Sequence, residues 1–284
     1  MKFFKTIQDV RAFLSQKKSE GGQIGLVPTM GALHQGHFEL IKAARLTSDV
    51  VVVSIFINPI QFNKKEDFDK YPRNLDKDIE SLEGLGCDVV FAPDEKEMYP
   101  VSGIINFGVG YFDQVMEGKF RPGHFSGVGL IVCKLLNIIS PDRAYFGQKD
   151  LQQLVLIKKM VQELNIGTEV VEIATIREPS GLAMSSRNER LNTEQKEIAA
   201  GIYQGLVYLK EKISVGADIK TAIGEVKNYF NNMDGFELEY LEVVDKDQLL
   251  PVRNYADCAE IALCVAGYVG TVRLLDNICI NSKD

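Results

Sequence analysis

Apolar positions along the chain recur in two rhythms. Ile7, Val10, Phe13 and Leu14 fall at helical spacing and predict a helix from Thr6 to Lys18. Gln23 to Pro28 predicts the first strand, and Phe38, Leu40, Ile41 and Ala44 predict a helix ending near Ser48. Val50 to Ile57 is an apolar, β-branched run, the pattern of a strand covered on both faces of a parallel sheet. Further helices are expected over Leu75 to Leu85, Ser126 to Ile139 and Leu151 to Leu164. Further strands are expected over Asp88 to Phe91, Arg143 to Phe146 and Thr168 to Ile176. Strands alternating with helices predict an α/β domain with a doubly wound, Rossmann-like parallel sheet.

The rhythm changes after Arg190. Thr193 to Lys212 and Ile219 to Phe230 predict helices; Phe236 to Val244, Cys258 to Val265 and Thr271 to Leu275 predict strands. Helices followed by strands indicate a smaller C-terminal α+β domain. The boundary is placed between Ile176 and Arg190, giving domains 1–176 and 177–284, the second contributing the loop Met184 to Arg187.

In open parallel sheets, ligands sit beyond the carboxyl ends of the strands. The most informative segment, Val27 to His37, lies there: Val-Pro-Thr-Met-Gly-Ala-Leu-His-Gln-Gly-His between a strand and a helix. It holds His34 and His37, two of the three histidines in the chain. N–H groups at a helix start lack partners inside the helix and favour anions, phosphate above all. Gly31 and Gly36 let a ligand approach the backbone closely. An imidazole there can donate a hydrogen bond or move a proton. Two histidines at this spacing could also ligate a metal, but no nearby Cys or second His pair completes such a site.

The other loops at the ligand end are Asn-Pro-Ile-Gln-Phe after Ile57 with a charged loop to Arg73, Gly-Gln-Lys-Asp from Gly147 to Asp150, and the stretch from Arg177 to Arg187. They are expected to converge with His34 and His37. Lys149 is a compact point charge and Arg187 can grip phosphate bidentately. Ser185 and Ser186 can donate hydroxyls to the same oxygens. Asp150 fits a helix cap equally well. Gln61 and Gln153 carry amides suited to a small hydroxy acid or amine, or to plain solvent. The charged stretch Asn63 to Lys70 reads as a surface loop or a lid. His124 reads as a turn residue or a ligand-side residue.

Composition narrows the classes. The chain has 284 residues, enough for two modest domains, and a formal net charge of −7, which argues against general nucleic-acid binding. Its five cysteines are odd in number, show no CxxC pairing and read as reduced core residues of a cytoplasmic protein. The N-terminus lacks a signal-peptide core, and no apolar run approaches membrane-spanning length. A dinucleotide-dependent oxidoreductase is disfavoured because the first strand–helix turn lacks GxGxxG.

The segments Pro28 to His37, Phe56 to Phe62, Asp69 to Arg73, Arg121 to Val128, Val132 to Asn137, Phe146 to Leu154 and Arg177 to Asn188 occur in one order. By them the chain resembles the pantoate–β-alanine ligase family, within the nucleotidyltransferases that carry a His-x-Gly-His signature. The last third offers few sharp markers. The resemblance implies condensation of (R)-pantoate with β-alanine at the expense of ATP and Mg²⁺, through a pantoyl adenylate, releasing AMP and pyrophosphate. It implies that Met30, Gly31, Ala32, Leu33, His34, Gln35, Gly36 and His37 bind ATP, with His37 the usual catalytic assignment. Further ATP contacts are implied at Gly147, Gln148, Lys149, Asp150, Ile176, Met184, Ser185, Ser186 and Arg187. Gln61 and Gln153 would hold pantoate, with Gln61 also near β-alanine. Charge stabilisation is expected from His34, His37, Lys149 and Arg187 together with Mg²⁺. A cytoplasmic homodimer is implied, with no nucleic-acid or membrane partner. A related nucleotidyltransferase that stops at nucleotide transfer, or a silent nucleotide-binding protein, are the competing readings.

Overall fold

The computed structural model describes residues 1–63, 65–101 and 107–281. The chain divides into two compact units, one of Met1–Gly147 with Leu156–Ala174, the other of Gln148–Val155 with Thr175–Asp284.

The first unit is built on β1 (Lys2–Phe4), β2 (Ile24–Thr29), β3 (Val50–Ile55), β4 (Val89–Phe91), β5 (Arg143–Gly147) and β6 (Glu169–Ile173). They form a six-stranded sheet in the order β1-β4-β3-β2-β5-β6. Every pairing is parallel. β3 is buried at every position, which its unbroken apolar character anticipates. The connections carry α1 (Ile7–Ser19), α2 (Gln35–Thr47), α3 (Lys65–Asp69), α4 (Leu75–Ser81), α5 (Glu95–Met98), α6 (Met116–Phe120), α7 (His124–Ile139) and α8 (Leu151–Glu163). Local chemistry sets their ends. Thr6 caps α1 by accepting from the Asp9 N–H at 3.1 Å, and Lys17 and Lys18 meet its negative C-terminal end. Leu40, Ile41 and Ala44 of α2 pack with Val27, Val53, Val90 and Tyr145 of the sheet. Strand order reverses between β2 and β5, so the switch point falls at the carboxyl end of β2, where the chain enters Met30 to His37.

The second unit carries α9 (Thr193–Ser214), α10 (Ile219–Asn231), β7 (Phe236–Asp245), β8 (Glu260–Val269) and β9 (Val272–Asn281). Its three strands form an antiparallel sheet in the order β7-β8-β9. Leu206 and Leu209 of α9, Val226 and Phe230 of α10, and Leu241, Leu263 and Leu274 of the sheet share one core. A reciprocal cap starts α9: Asn192 accepts from the Gln195 N–H at 2.9 Å, and Gln195 accepts from the Asn192 N–H at 3.0 Å.

The doubly wound sheet with a smaller α+β part matches the sequence expectation. Several local expectations are corrected. β1 leaves no signal in the sequence, because three residues are too few to show a period; it pairs Phe3 with Val90 at the edge. β6 stops at Ile173 rather than Ile176, and α4 at Ser81 rather than Leu85. The charged stretch from Asn63 contains the helix α3, while Lys64 lies outside the described residues. β9 runs on to Asn281, past the polar Asp276 and Asn277 that interrupt its apolar run. Cys87 and Cys264 are buried as expected of core thiols, but Cys133, Cys258 and Cys279 are only half-buried, and none of the five forms a disulfide.

Candidate active site

The first unit presents the turn after β2. Gly31 and Ala32 have φ of 79° and 50°, a left-handed pair that swings the backbone towards α2. Thr29 Oγ1 accepts from the Gly31 N–H at 3.2 Å and donates to the Ser54 carbonyl at 2.8 Å. Asp78, buried on α4, accepts from the N–H of Ala32 at 3.0 Å and of Leu33 at 2.8 Å. A Cβ on Gly31 would stand 2.8 Å from Asp78 Oδ2, so glycine is required sterically as well as by its φ. Such paired N–H groups form a nest for an anion, and here the chain supplies the anion itself.

His34 is the N-cap of α2. Its Nδ1 accepts from the Gly36 N–H at 3.1 Å, and its own N–H donates to His37 Nδ1 at 3.3 Å. The His37 N–H bonds the His34 carbonyl at 2.8 Å. Of the backbone donors expected to be open at this helix start, those of Gly36 and His37 have acceptors within the chain. A ring nitrogen that accepts carries no proton, so each neutral imidazole keeps its proton on Nε2. The rings stand 4.1 Å apart between centroids, tilted by 42°. The ring protons of the pair thus sit on Nε2 when the imidazoles are neutral. Gln35 donates its amide to Glu39 at 2.7 Å on the exposed side of the helix.

A second cluster in the same unit surrounds Gln61, which is buried. Its Nε2 reaches Met30 Sδ at 2.9 Å, so two residues proposed from sequence for different ligands are brought together. Its Oε1 accepts from Asn58 Nδ2 at 3.1 Å; the same amide donates to the Gly127 carbonyl at 3.1 Å, and Tyr99 donates to Asn58 Oδ1 at 2.8 Å. His124 is buried against this turn, with Nδ1 at 2.9 Å from the Gln61 carbonyl and Nε2 at 3.0 Å from Arg121 Nη1. A carbonyl only accepts and a guanidinium only donates, so His124 is neutral with its proton on Nδ1. Arg121 is held in turn by Glu117 at 3.5 Å. His124 is therefore a support for the Gln61 backbone.

In the second unit, Gln148–Asp150 forms a 3-10 turn following Gly147, the last residue of β5. Lys149 Nζ lies 3.8 Å from Asp150 Oδ1. Gln153 is half-buried in the first turn of α8, beside the buried Gln152. Ile176 and Met184 are joined directly, the Met184 N–H donating to the Ile176 carbonyl at 2.9 Å. Ser185 caps the 3-10 turn Ser186–Arg190 by accepting from the Arg187 N–H at 3.3 Å. Arg177 grips Asp276 with both arms, at 2.6 and 3.0 Å, and its guanidinium lies 4.0 Å from the centroid of the Tyr203 ring. Burial pushes the Asp276 carboxyl above the ordinary carboxylate range, and the Arg177 charge works against that rise.

Sequence reasoning missed Asp78, Asn58, Tyr99, Asp276 and Asn277. Only the last two left a readable signal, two adjacent polar residues inside the apolar run Leu274 to Ile278. Asp78 sits on a helix already rich in charge, where nothing marks it out.

A doubly wound parallel sheet with a glycine turn and paired imidazoles at its switch point defines the class: an α/β enzyme of the nucleotide-binding kind. The family described as Pantoate-beta-alanine ligase matches residues 2–279. The chain belongs to that family of ligases. It is 47% identical over 276 residues to the pantothenate synthetase of Cytophaga hutchinsonii, covering 97% of this chain and 98% of that one. It superposes with a TM-score of 0.92 on the crystal structure of pantothenate synthetase from Thermus thermophilus, at 38% identity, covering 98% and 99% of the two chains. A third relative is the Francisella tularensis pantoate-beta-alanine ligase, solved in complex with beta-gamma ATP and beta-alanine. There the TM-score is 0.78 and the identity 37%, over 100% of this chain and 98% of the other.

Proposed function

We propose that this protein joins (R)-pantoate to β-alanine at the expense of ATP, releasing AMP and pyrophosphate. The reading is carried by the imidazole pair at the switch point, in a chain that matches the ligase family over residues 2–279. In the first step a pantoate carboxylate oxygen bonds to the α-phosphorus, and the bond from that phosphorus to the pyrophosphate oxygen breaks. In the second the neutral β-alanine amine bonds to the acyl carbon of pantoyl adenylate, the acyl–oxygen bond to AMP breaks, and the surplus proton on nitrogen is released to solvent.

The residues divide by chemistry. His34 and His37 donate from Nε2 to oxygens whose charge grows in the first step, a contact most valuable in the transition state. Lys149 and Arg187 balance the triphosphate, Lys149 as a point charge and Arg187 as a fork. Ser185 and Ser186, with the backbone of Met184, complete the contacts on that loop. Met30 to Gly36, Gly147, Gln148, Asp150 and Ile176 bind the remainder of ATP. Gln61 presents an amide held from behind by Asn58, which suits the hydroxyl and carboxylate of pantoate and the approach of β-alanine. Gln153 contributes the other pantoate amide. Pantoyl adenylate hydrolyses readily, so water must be kept from it between steps.

ATP enters as its Mg²⁺ complex. Among the described residues no cluster of three or more His, Cys, Asp or Glu side chains could hold a metal ion. Mg²⁺ at such sites is commonly carried by substrate phosphates with one or two carboxylates. Bound there, it would neutralise charge on the departing pyrophosphate. The acidic net charge of −7 fits a protein with no nucleic-acid partner. No described helix is long and apolar enough to cross a membrane. A cytoplasmic homodimer completes the reading.

The test is pyrophosphate exchange. Purified protein with ATP, Mg²⁺ and pantoate alone is expected to exchange labelled pyrophosphate into ATP. Adding β-alanine is expected to give pantothenate and AMP. Exchange that needs β-alanine from the outset overturns the two-step order, and absence of the amide product overturns the ligase reading.

A further inference from the structure

We propose that Asp276 and Asn277, neighbours on β9, are positioning residues that hold the two nucleotide loops of the second unit in fixed register. Asn277 is buried, and its Nδ2 donates to the carbonyls of Gln148 at 3.0 Å and Lys149 at 2.8 Å. Its Oδ1 faces Gln148 Nε2 at 3.4 Å. The backbone on either side of the Lys149 side chain is thus tied to one amide. Asp276 is buried too, and both its oxygens hold Arg177. Arg177 also donates to the carbonyls of Gly181 at 3.1 Å and Asn277 at 3.1 Å. That clamp closes the turn between Arg177 and Ala183, which are themselves paired as a β-bridge, and Met184 to Arg187 follow directly.

Two consecutive polar side chains inside an apolar strand carry a desolvation cost that the pairing with β8 does not require. In β9 each is satisfied by a different loop. They are adjacent on one strand and their side chains leave its opposite faces, so the Lys149 turn and the Arg177 turn are both referenced to neighbouring positions of one rigid backbone, about 3.4 Å apart along it. Displacing a reacting group by about 1 Å is enough to cost a hundredfold in rate. The proposal rests on the reading of Lys149 and Arg187 as cations for the triphosphate.

A double-mutant cycle on single-turnover adenylate formation tests it, with Lys149→Ala, Asn277→Ala and the pair. Asn277→Ala is expected to raise the KM for ATP and to slow adenylation about tenfold to a hundredfold. In the Lys149→Ala background the same change is expected to cost less than about threefold, because the side chain it positions is gone. Full adenylation by a folded Asn277→Ala protein, or losses that multiply in full, overturns the positioning role alone. Full adenylation by Lys149→Ala overturns the nucleotide reading, and the proposal with it. Should Asn277→Ala fail to fold, Asn277→Ser retains one donor and carries the same cycle.

Discussion

The carboxylate of Asp78 lies 2.8 Å from the backbone nitrogen of Leu33, and its other oxygen takes the neighbouring N–H of Ala32. A helix residue distant in sequence thus fixes the turn on which the imidazole pair stands. Asp78→Ala leaves two N–H groups without their charged acceptor and relaxes a left-handed backbone pair. The expected loss is about 1.5–3 kcal/mol of stability, the scale of a hydrogen bond to a charged group. Adenylation should slow with it. Urea denaturation and pyrophosphate exchange measure the two effects; unchanged midpoints and rates would count against the anchor.

His37→Ala is expected to slow adenylate formation by roughly a hundredfold to a thousandfold in a folded protein, the usual cost of one preorganised donor. The tautomer sharpens this. His37→Gln can keep an amide donor near the Nε2 position and should recover part of the rate. His37→Asn can keep an acceptor for the His34 N–H but not the distal donor, and should recover little. Single-turnover rates for the three variants decide it, and an Asn variant faster than the Gln variant contradicts the Nε2–H role.

Gln153→Ala should weaken pantoate use more than ATP binding. Losing a hydrogen bond to a charged partner costs about 1.5–3 kcal/mol, or a tenfold to hundredfold effect. Separate titrations of ATP and pantoate provide the measurement. A fall in ATP affinity with pantoate affinity intact assigns Gln153 to the nucleotide instead.

Gly127→Ala tests the support beneath Gln61. A Cβ there would stand 2.7 Å from both the Cα and the N of Gln61 and 2.8 Å from the Ile60 carbonyl carbon. Those are backbone atoms, so the turn must move. Overpacking of this kind costs typically about 1–3 kcal/mol. Thermal unfolding should show the loss, and the KM for pantoate should rise with little change for ATP. A variant as stable as the parent with normal pantoate use would show that the turn yields freely.

The motif Pro28 to His37 was legible because its chemistry is local: a strand, a glycine turn and a helix start adjoin in sequence. The same holds for Gly147 to Asp150 and for Met184 to Arg187. Their supports were not legible. Asn58 stands beside Gln61 in the chain, yet its hydrogen bonds run to Gly127 and Tyr99. His124 showed only a polar turn before a helix, whereas its tautomer depends on the Gln61 carbonyl and the Arg121 guanidinium. No periodicity encodes such pairings, because each joins segments brought close only by folding.

By itself the sequence determined the doubly wound class, the candidate ligand loops and the absence of an apolar segment of membrane-spanning length. These follow from hydrophobic periodicity and from residue types that act over a few positions. The tertiary structure decided how the donors and acceptors around the helix start are paired. The N–H groups of Ala32 and Leu33 are claimed by Asp78, and those of His34 and Gly36 by the imidazole Nδ1 atoms, which leaves the proton of each neutral ring on Nε2. A hydrogen bond needs its partner within about 3 Å, and that distance is set by packing, not by spacing along the chain.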